Sequence, residues 1–549
     1  MKNKETLSYI ASNIKGSKKK IILLSISQIM LGIFTVSFSF ILRFIIDAIE
    51  KKDNELLFRY VLILGLVTLG IILLQIFYRI YHEYSYVQIE NKLRASLYKK
   101  IISNDYRYIK NSHDEEWIHR LTSDTSIIAS SILSILPSLC RMVIQLLLSI
   151  GAIIYLYPIF GLSLLPFILL IIVLTYFMRK RLKRWHHHMQ EADGKVKVFF
   201  FESLQGLSIV HSFVKEDIFS KKNDINLENY KKARIKRNMF SIACSISYIV
   251  VYYTFYILAV IFCGISIING NMTIGLLMSL VALLSQLTGP LGNITNIIPR
   301  YYSLIASGER IRIEEKEDID YLSKEDIDNY YHNEFKGIDI DNISYSYIDK
   351  YGNNVEALKD FSLLVNKGEK ILIKGHSGGG KSTLMKIILS LYKPVSGSLY
   401  LLDKDKHLLD KKYERLFAYV PQDNLLMQGS IKEVITLYNE DVDNDKLIES
   451  LKISNSYDFV NNLPLKENTF LNEKGSGLSL GEMERIAIAR AIYSSSPILL
   501  LDECSASLDA YNEEIVMNNI LSLKDKTIIL ISHHHYDDSL FDKVIDLGE

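Results

Sequence analysis

Lys370-Ile-Leu-Ile-Lys-Gly-His-Ser-Gly-Gly-Gly-Lys-Ser-Thr383 is the stretch on which the fold turns. A short apolar run, Lys370 to Lys374, opens into Gly375-His376-Ser377-Gly378-Gly379-Gly380-Lys381-Ser382-Thr383, and a helical stretch follows to Leu391. Strand, G-x-x-x-x-G-K-S/T loop and helix in that order are the parts of a phosphate loop. Glycines let backbone N–H groups converge on phosphate oxygens, and the helix adds its positive end. In that pattern Lys381 serves the β and γ phosphates of a nucleoside triphosphate and Ser382 ligates Mg²⁺.

Downstream, a second apolar run, Ile498 to Leu501, ends in Asp502-Glu503. An aspartate there is expected on the magnesium side, acting through water, and Glu503 beside it can polarise the attacking water. A third run, Thr527 to Ile531, ends at Ser532-His533. An α/β P-loop NTPase domain is therefore expected over 337–549.

Upstream the chemistry changes. Residues 1–330 carry 39 Lys+Arg against 28 Asp+Glu, and residues 331–549 carry 24 against 34, so the net charge of +1 conceals a basic half and an acidic half. No charge appears in the 22 residues from Ile21 to Leu42, the 18 from Val61 to Tyr78, the 37 from Met142 to Met178 or the 61 from Met239 to Pro299. About 20 helical residues cross a hydrocarbon core of ~30 Å. The longer gaps break at Tyr157-Pro158 and Asn269-Gly270-Asn271, which gives six spans near 21–46, 57–80, 132–157, 158–179, 240–268 and 274–299. The first is too long for a secretory signal and lacks a cleavage site, so it is expected to remain. The expectation is a multidomain chain: an all-α six-helix transmembrane domain (1–313), an acidic linker (314–336), then the NTPase domain. Basic residues concentrate in 179–240 and at the amino terminus, which places both termini, the NTPase domain and the two long loops in the cytosol of a multi-pass plasma-membrane protein. Those loops, about 79–131 and 179–239, have helical composition, so the membrane helices are expected to continue into the cytosol. Four scattered cysteines without a CxxC pair, three of them in apolar runs, suggest neither a disulfide framework nor a zinc site.

With these motifs in hand, the chain resembles an ATP-binding-cassette (ABC) half-transporter of the exporter type over nearly its whole length. Leu478-Ser479-Leu480-Gly481-Glu482 resembles the family signature, and Arg485 to Ala491 resembles the helix that follows it. The resemblance implies that Tyr347 stacks on adenine and that residues 375–383 hold the phosphates. It also implies that Gln422 and Ser382 face Mg²⁺ with Asp502 behind, and that Glu503 is the base. His533 would contact the γ-phosphate, with Lys381 beside it. Ser479, Gly481 and Asp509 would act at the face where one cassette meets another. ATP and Mg²⁺ are the implied cofactors. Glu473-Lys-Gly475, His119 to Asp124 and Glu202 to Gly206 resemble segments that join the two domains in the family. The resemblance also implies a dimer, either a homodimer or a heterodimer with a second half-transporter, since a phosphate loop in this family faces the signature of another cassette. The expected activity is ATP-driven export of a hydrophobic or amphipathic cargo, peptide-like or drug- and lipid-like. A channel-like or regulatory subunit, or an importer of the same build, shares every motif. Nucleic acid is excluded as a partner by the spans.

Three departures stand out. Leu480 and Glu482 replace a glycine and a glutamine of the signature, Cys504-Ser505-Ala506-Ser507 replaces the usual Ala-Thr-Ser-Ala, and Glu549 falls before the helices that usually close the cassette. The Glu482 carboxylate weakens phosphate binding only if it faces the phosphates.

Arg141 lies 16 residues from Tyr157, about 24 Å along a helix, so a snorkelling side chain is favoured over one that meets an anionic cargo. Tyr248, Tyr252 and Tyr256 share one helix face; packing or lipid contact is favoured there over a cavity wall. The triplet His186 to His188 reads as a solvated face, and in His533 to His535 only the first member needs a role.

Overall fold

The structure is a computed structural model. It describes residues 2–547 apart from 14, 111–113, 164, 271, 314–320, 349–352, 377, 423–425, 473, 474, 476 and 535. Two compact units emerge: Met1–Ile102 with Ser112–Glu315, and Ser103–Asn111 with Lys316–Glu549.

The first unit is helical: α1 (Lys2–Asn13), α2 (Lys18–Glu50) and α3 (Asn54–Ile102) open the chain. After α4 (Tyr106–Lys110), which belongs to the second unit, come α5 (Asp114–His119), α6 (Thr125–Leu156), α7 (Pro158–Ser163) and α8 (Leu165–Gln205). The unit closes with α9 (Leu207–Ser212), α10 (Glu216–Ile268) and α11 (Ile274–Arg310). Among the described residues, four stretches are long and apolar enough to cross a membrane: Lys15–Glu50, Asn54–Ile102, Asp114–Leu156 and Glu216–Ile268. The segments 158–179 and 274–299 fall on α7, α8 and α11, where many side chains lie outside the described set. With 49 residues α3 is about twice as long as a bilayer core requires. Tyr157 leaves helical space at φ −150°, ψ 89°, as the residue before a proline tends to.

Helices α2, α3, α6 and α11 pack together, while α8 packs mainly on α10. A π-helical turn, Arg120–Asp124, joins α5 to α6. It buries Asp124 completely, and Ser307 Oγ (2.8 Å) and Arg310 Nε (2.8 Å) on α11 donate to that carboxylate. A buried charge needs such a partner, so the turn is tied to the end of α11.

The second unit begins earlier than its motifs indicate. Residues 324–333, expected as linker, form α12 (Lys324–Asn333). Its Ile327, Tyr330 and Tyr331, with Phe335 beyond, are buried in the core of this unit. Three or four apolar residues on one helix face suffice for that, and the surrounding acidic residues hid them.

An antiparallel sheet contains β1 (Gly337–Ile348), β2 (Asn354–Asn366), β4 (Ser396–Leu402) and β5 (Lys406–Leu408) in the order β2-β1-β4-β5. A second sheet contains β3 (Lys370–Lys374), β6 (Phe417–Val420), β9 (Ile498–Asp502), β10 (Thr527–Ile531) and β11 (Lys543–Asp546), ordered β11-β3-β10-β9-β6. All its pairings are parallel, and β9 and β10 are buried at every position, as sheets covered on both faces require. The helices of the unit are α13 (Lys381–Ile388), α14 (Ile431–Thr436), α15 (Asn444–Ile453), α16 (Tyr457–Asn462), α17 (Leu480–Tyr493) and α18 (Ala510–Leu521). The short pair β7 (Gly429–Ser430) and β8 (Phe470–Leu471) lies beside α14.

Candidate nucleotide-binding site

The parallel sheet sets the site, because β3, β9 and β10 are neighbours and their carboxyl ends carry the phosphate loop, Asp502-Glu503 and His533. Ligands of open α/β sheets bind at those ends. Gly375, Gly378 and Gly380 adopt φ of 143°, 89° and 80°. At Gly380, which caps α13, an added Cβ would run into the Ala357 carbonyl oxygen, so no other residue fits without strain. Ser377 lies outside the described residues.

Lys381 is buried at 5% exposure and folds over the loop. Its Nζ donates to the carbonyls of Gly375 (2.7 Å) and His376 (2.9 Å) and lies 3.2 Å from His533 Nε2. His533 Nε2 in turn lies 2.8 Å from Glu503 Oε1, and Gln422 Nε2 donates to Glu503 Oε2 at 2.7 Å. Gln422 and His533 therefore converge on one carboxylate, with Lys381 behind His533. Glu503 itself has φ +50°, a strained conformation for a non-glycine residue, held by its N–H on the Ile531 carbonyl (3.0 Å).

Asp502 is 1% exposed. Burial lifts its carboxyl above the usual carboxylate range, against hydrogen bonds from Ser382 and Tyr419 that pull it down. Its Oδ1 is buried with no hydrogen-bond partner among the described residues. An ionised oxygen so placed calls for a cation, and the oxygen donors Ser382, Gln422 and Asp502 suit Mg²⁺.

Tyr347 has an exposed ring, edge-on to Tyr345 (5.0 Å) and Tyr392 (6.1 Å), while its hydroxyl pairs with Thr383 Oγ1 at 2.7 Å. Burial beside the other tyrosines pushes the Tyr392 hydroxyl up to about 12. Tyr106 on α4 sits 6.1 Å from Tyr392, and the Arg107 guanidinium 5.6 Å from the Tyr345 ring. Nothing in the spacing of these residues signals that meeting.

The signature lies apart. Ser479 caps α17 in a capping box with Glu482: the Glu482 N–H reaches Ser479 Oγ (3.3 Å), while Glu482 Oε2 accepts from Ser479 N (2.8 Å) and Oγ (2.9 Å). The carboxylate therefore sits on the donors that the resemblance assigns to phosphate. Gly481 packs close to the Ser507 carbonyl, and buried Glu484 accepts from Ser507 N. Asp509 caps α18, holding Asn512 N at 3.0 Å. No hydrogen bond among the described residues joins Ser479, Gly481 or Asp509 to the phosphate-loop cluster.

Two smaller readings change. His534 is not idle: its Nδ1 pairs with Glu513 at 3.1 Å, in a network with Tyr536 and Ser505. Cys504 is fully buried, and burial pushes its thiol up to about 12, so it packs rather than reacts. In the membrane unit Tyr252, Tyr253 and Tyr256 form one ring cluster, with Tyr252 against the buried core; the Tyr248 side chain is outside the described set.

Arg141 has surroundings that the expectation of a snorkelling side chain did not include. It lines a polar cavity of about 350 Å³ with Gln28, Tyr78, Ser138, Gln145 and Asn293. Ser130, Ser134 and Ser138, then Arg141 and Gln145, recur at intervals of four, four, three and four on α6. That is one helix face, a polar stripe visible in the sequence but overlooked among apolar neighbours.

Family models match twice: the ABC transporter transmembrane region over residues 21–291 and ABC transporter over residues 358–506. A Staphylococcus aureus ATP-binding/permease protein whose name assigns it to multidrug export is 28% identical over 463 residues, covering 82% of this chain and 78% of its own, in strain NCTC 8325. Its counterpart in the bovine strain RF122 gives the same figures. The structure of a bacterial Atm1-family ABC exporter with ATP bound shares the fold at a TM-score of 0.82 and 21% identity, covering 97% of this chain and 95% of that one.

Proposed function

Because the chain belongs to the ABC transporter family, with membrane region and ATPase fused in exporter order, we propose that it works as a dimer in the plasma membrane and exports an amphipathic cargo by alternating access. ATP hydrolysis coupled to transport is its enzymatic activity. The supporting observation is the chain of contacts Gln422–Glu503–His533–Lys381 beside the phosphate loop, with Ser479 and Gly481 remote from it. Catalytic groups and signature then meet only across two subunits, which makes ATP the link that closes them.

In this reading the triphosphate takes the place of the loop carbonyls at Lys381 and lies on the N–H groups of α13. Tyr347 packs on the adenine. Glu503 accepts the proton of the attacking water as the water oxygen bonds to the γ-phosphorus and the bond from that phosphorus to the β–γ bridging oxygen breaks, releasing ADP and phosphate, while Gln422 and His533 hold the carboxylate in position, one on each oxygen. Ser382, Gln422 and Asp502 would hold Mg²⁺, which neutralises phosphate charge when bound. Ser479 and Gly481 of a second cassette complete the γ-phosphate shell. Closure of two cassettes then turns the membrane cavity outward. The basic loops support a cytosolic position for the termini and both cassettes.

The test is reconstitution into sealed vesicles with the cassettes outward. ATP-dependent accumulation of an amphipathic dye against its gradient, lost in Glu503→Gln, is the expected result. Dye equilibration without accumulation would replace the pump with a channel.

A further inference from the structure

The cavity around Arg141 adjoins a second one of about 750 Å³, and the two share Tyr78 and Ser138. The larger carries Arg79 and His82 from α3, Arg300 from α11 and the serines of α6, with Glu83 as the one lining carboxylate among the described residues. Three helices thus each turn an arginine toward connected space. Arg141 is polar-bonded to Gln28, whose Oε1 accepts from Nη1 at 3.5 Å, and Gln28 is itself 6% exposed. No carboxylate among the described residues lies within ion-pair distance of Arg79, Arg141 or Arg300.

The neighbourhood is also held still. Gln145 Nε2 donates to the carbonyl and the Oε1 of Gln286 (3.0 Å each), and Gln286 Nε2 to the Thr35 carbonyl (3.4 Å). That network binds α6, α11 and α2 at the apolar end of the cavity. An arginine in a membrane segment normally faces a partner charge, since leaving it unneutralised in low dielectric is costly. Around Arg141 the surroundings supply neutral amides and hydroxyls, and the adjoining cavity adds Arg79 and Arg300 against the single carboxylate Glu83 among the described residues.

We propose that these connected cavities bind the anionic group of an amphipathic cargo, a carboxylate or a phosphate, with Arg141 as its principal partner. The proposal rests on the export reading for its cargo, and adds the charge that the cargo must carry. Guanidinium suits such a group because it offers paired donors in one plane. Arg79 and Arg300 extend the positive field, partly offset by Glu83, and the serine stripe adds hydroxyl donors toward the cytosolic end, along the route by which a cargo would enter. The apolar side of the cargo would lie against the aliphatic faces of α2 and α6.

The experiment uses the full-length chain in nanodiscs of zwitterionic lipid and probes of one chain length: decanoate, decyl phosphate and decyltrimethylammonium. Half-maximal stimulation of ATP turnover is read for each. Arg141→Gln should raise that concentration about tenfold or more for the two anions and less than about twofold for the cation, as loss of one charge-assisted bond predicts. Arg141→Lys should recover most of the difference. Equal shifts for all probes would make Arg141 structural, and stimulation by the cation alone would overturn the proposal.

Should Arg141→Gln fold poorly, charge-selective labelling gives a separate answer. With Cys140→Ser, a cysteine at Ser138→Cys should react faster with an anionic thiosulfonate than with a cationic one; the reverse order refutes a positive site. Phosphatidylglycerol added to the bilayer should compete with decyl phosphate if lipid headgroups reach the cavity, and leave it unaffected if the anion arrives from water. Dye accumulation in vesicles separates the two readings. Anion-dependent turnover without accumulation sinks export and keeps the site, whereas accumulation indifferent to Arg141 sinks the site and keeps export.

Discussion

At the amino end of α13 the cap is Gly380, which offers no side chain, and the first N–H groups stand open beside Lys381. At the amino end of α17 the cap is Ser479, whose N–H and hydroxyl are taken by the Glu482 carboxylate. Both helices carry the same dipole and the same unsatisfied donors. One keeps them for a ligand and the other satisfies them internally with an anion of its own. The difference shows that a single carboxylate, Glu482, can occupy a helix-end anion site within an ordinary capping box. In the proposed dimer, the two sides of an ATP site would then be unequal in readiness.

The largest effect is expected at the open side. Glu503→Gln should lower ATP hydrolysis by about 10²-fold or more with nucleotide binding retained, as loss of a general base predicts. Lys381→Ala should instead weaken nucleotide binding, measured by equilibrium titration. Near-normal turnover in Glu503→Gln would remove that residue from catalysis.

Next comes the adenine side. Tyr347→Ala should raise the ATP Kd by about tenfold, within the ~1–3 kcal/mol of base stacking. Tyr347→Phe, which loses only the Thr383 bond, should stay within about threefold. Equal losses in both would assign the effect to the hydroxyl rather than the ring.

At the closed side, Glu482→Gln keeps the capping geometry and removes the charge. Turnover of the purified chain should rise by about threefold to tenfold, the scale of one charge near a helix end. No change would show the carboxylate yields freely to phosphate. If turnover appears only when a second half-transporter is added, a heterodimer is indicated.

The smallest effect concerns Asp502. Because burial raises its folded pKa, the native state binds more protons than the unfolded state above ~3.9, and apo stability falls as pH rises through the interval between the two values. Asp502→Asn should remove that slope and raise the neutral-pH melting temperature of the apo protein by about 2–4 °C. A melting curve unchanged in both respects would mean the carboxylate is neutralised by another group.

What local order encodes was legible without coordinates. Gly375 to Thr383 must follow a strand and open a helix to bind phosphate, so the motif carries its own context. Charge gaps from Ile21 onward declare membrane segments because a bilayer tolerates few charges. Burial and pairing between distant residues were not legible. The acidic run 321–335 hid Ile327, Tyr330 and Tyr331, which enter the core only when α12 closes on its sheet. The direction of the Glu482 side chain depends on the turn made at Ser479, and Arg141 on which helix face meets α2, α3 and α11. Sequence sets which groups are available and how often they recur. Tertiary packing decides which face each other, because contact between residues 113 positions apart, as for Gln28 and Arg141, depends on helix rotation and register that no local pattern records.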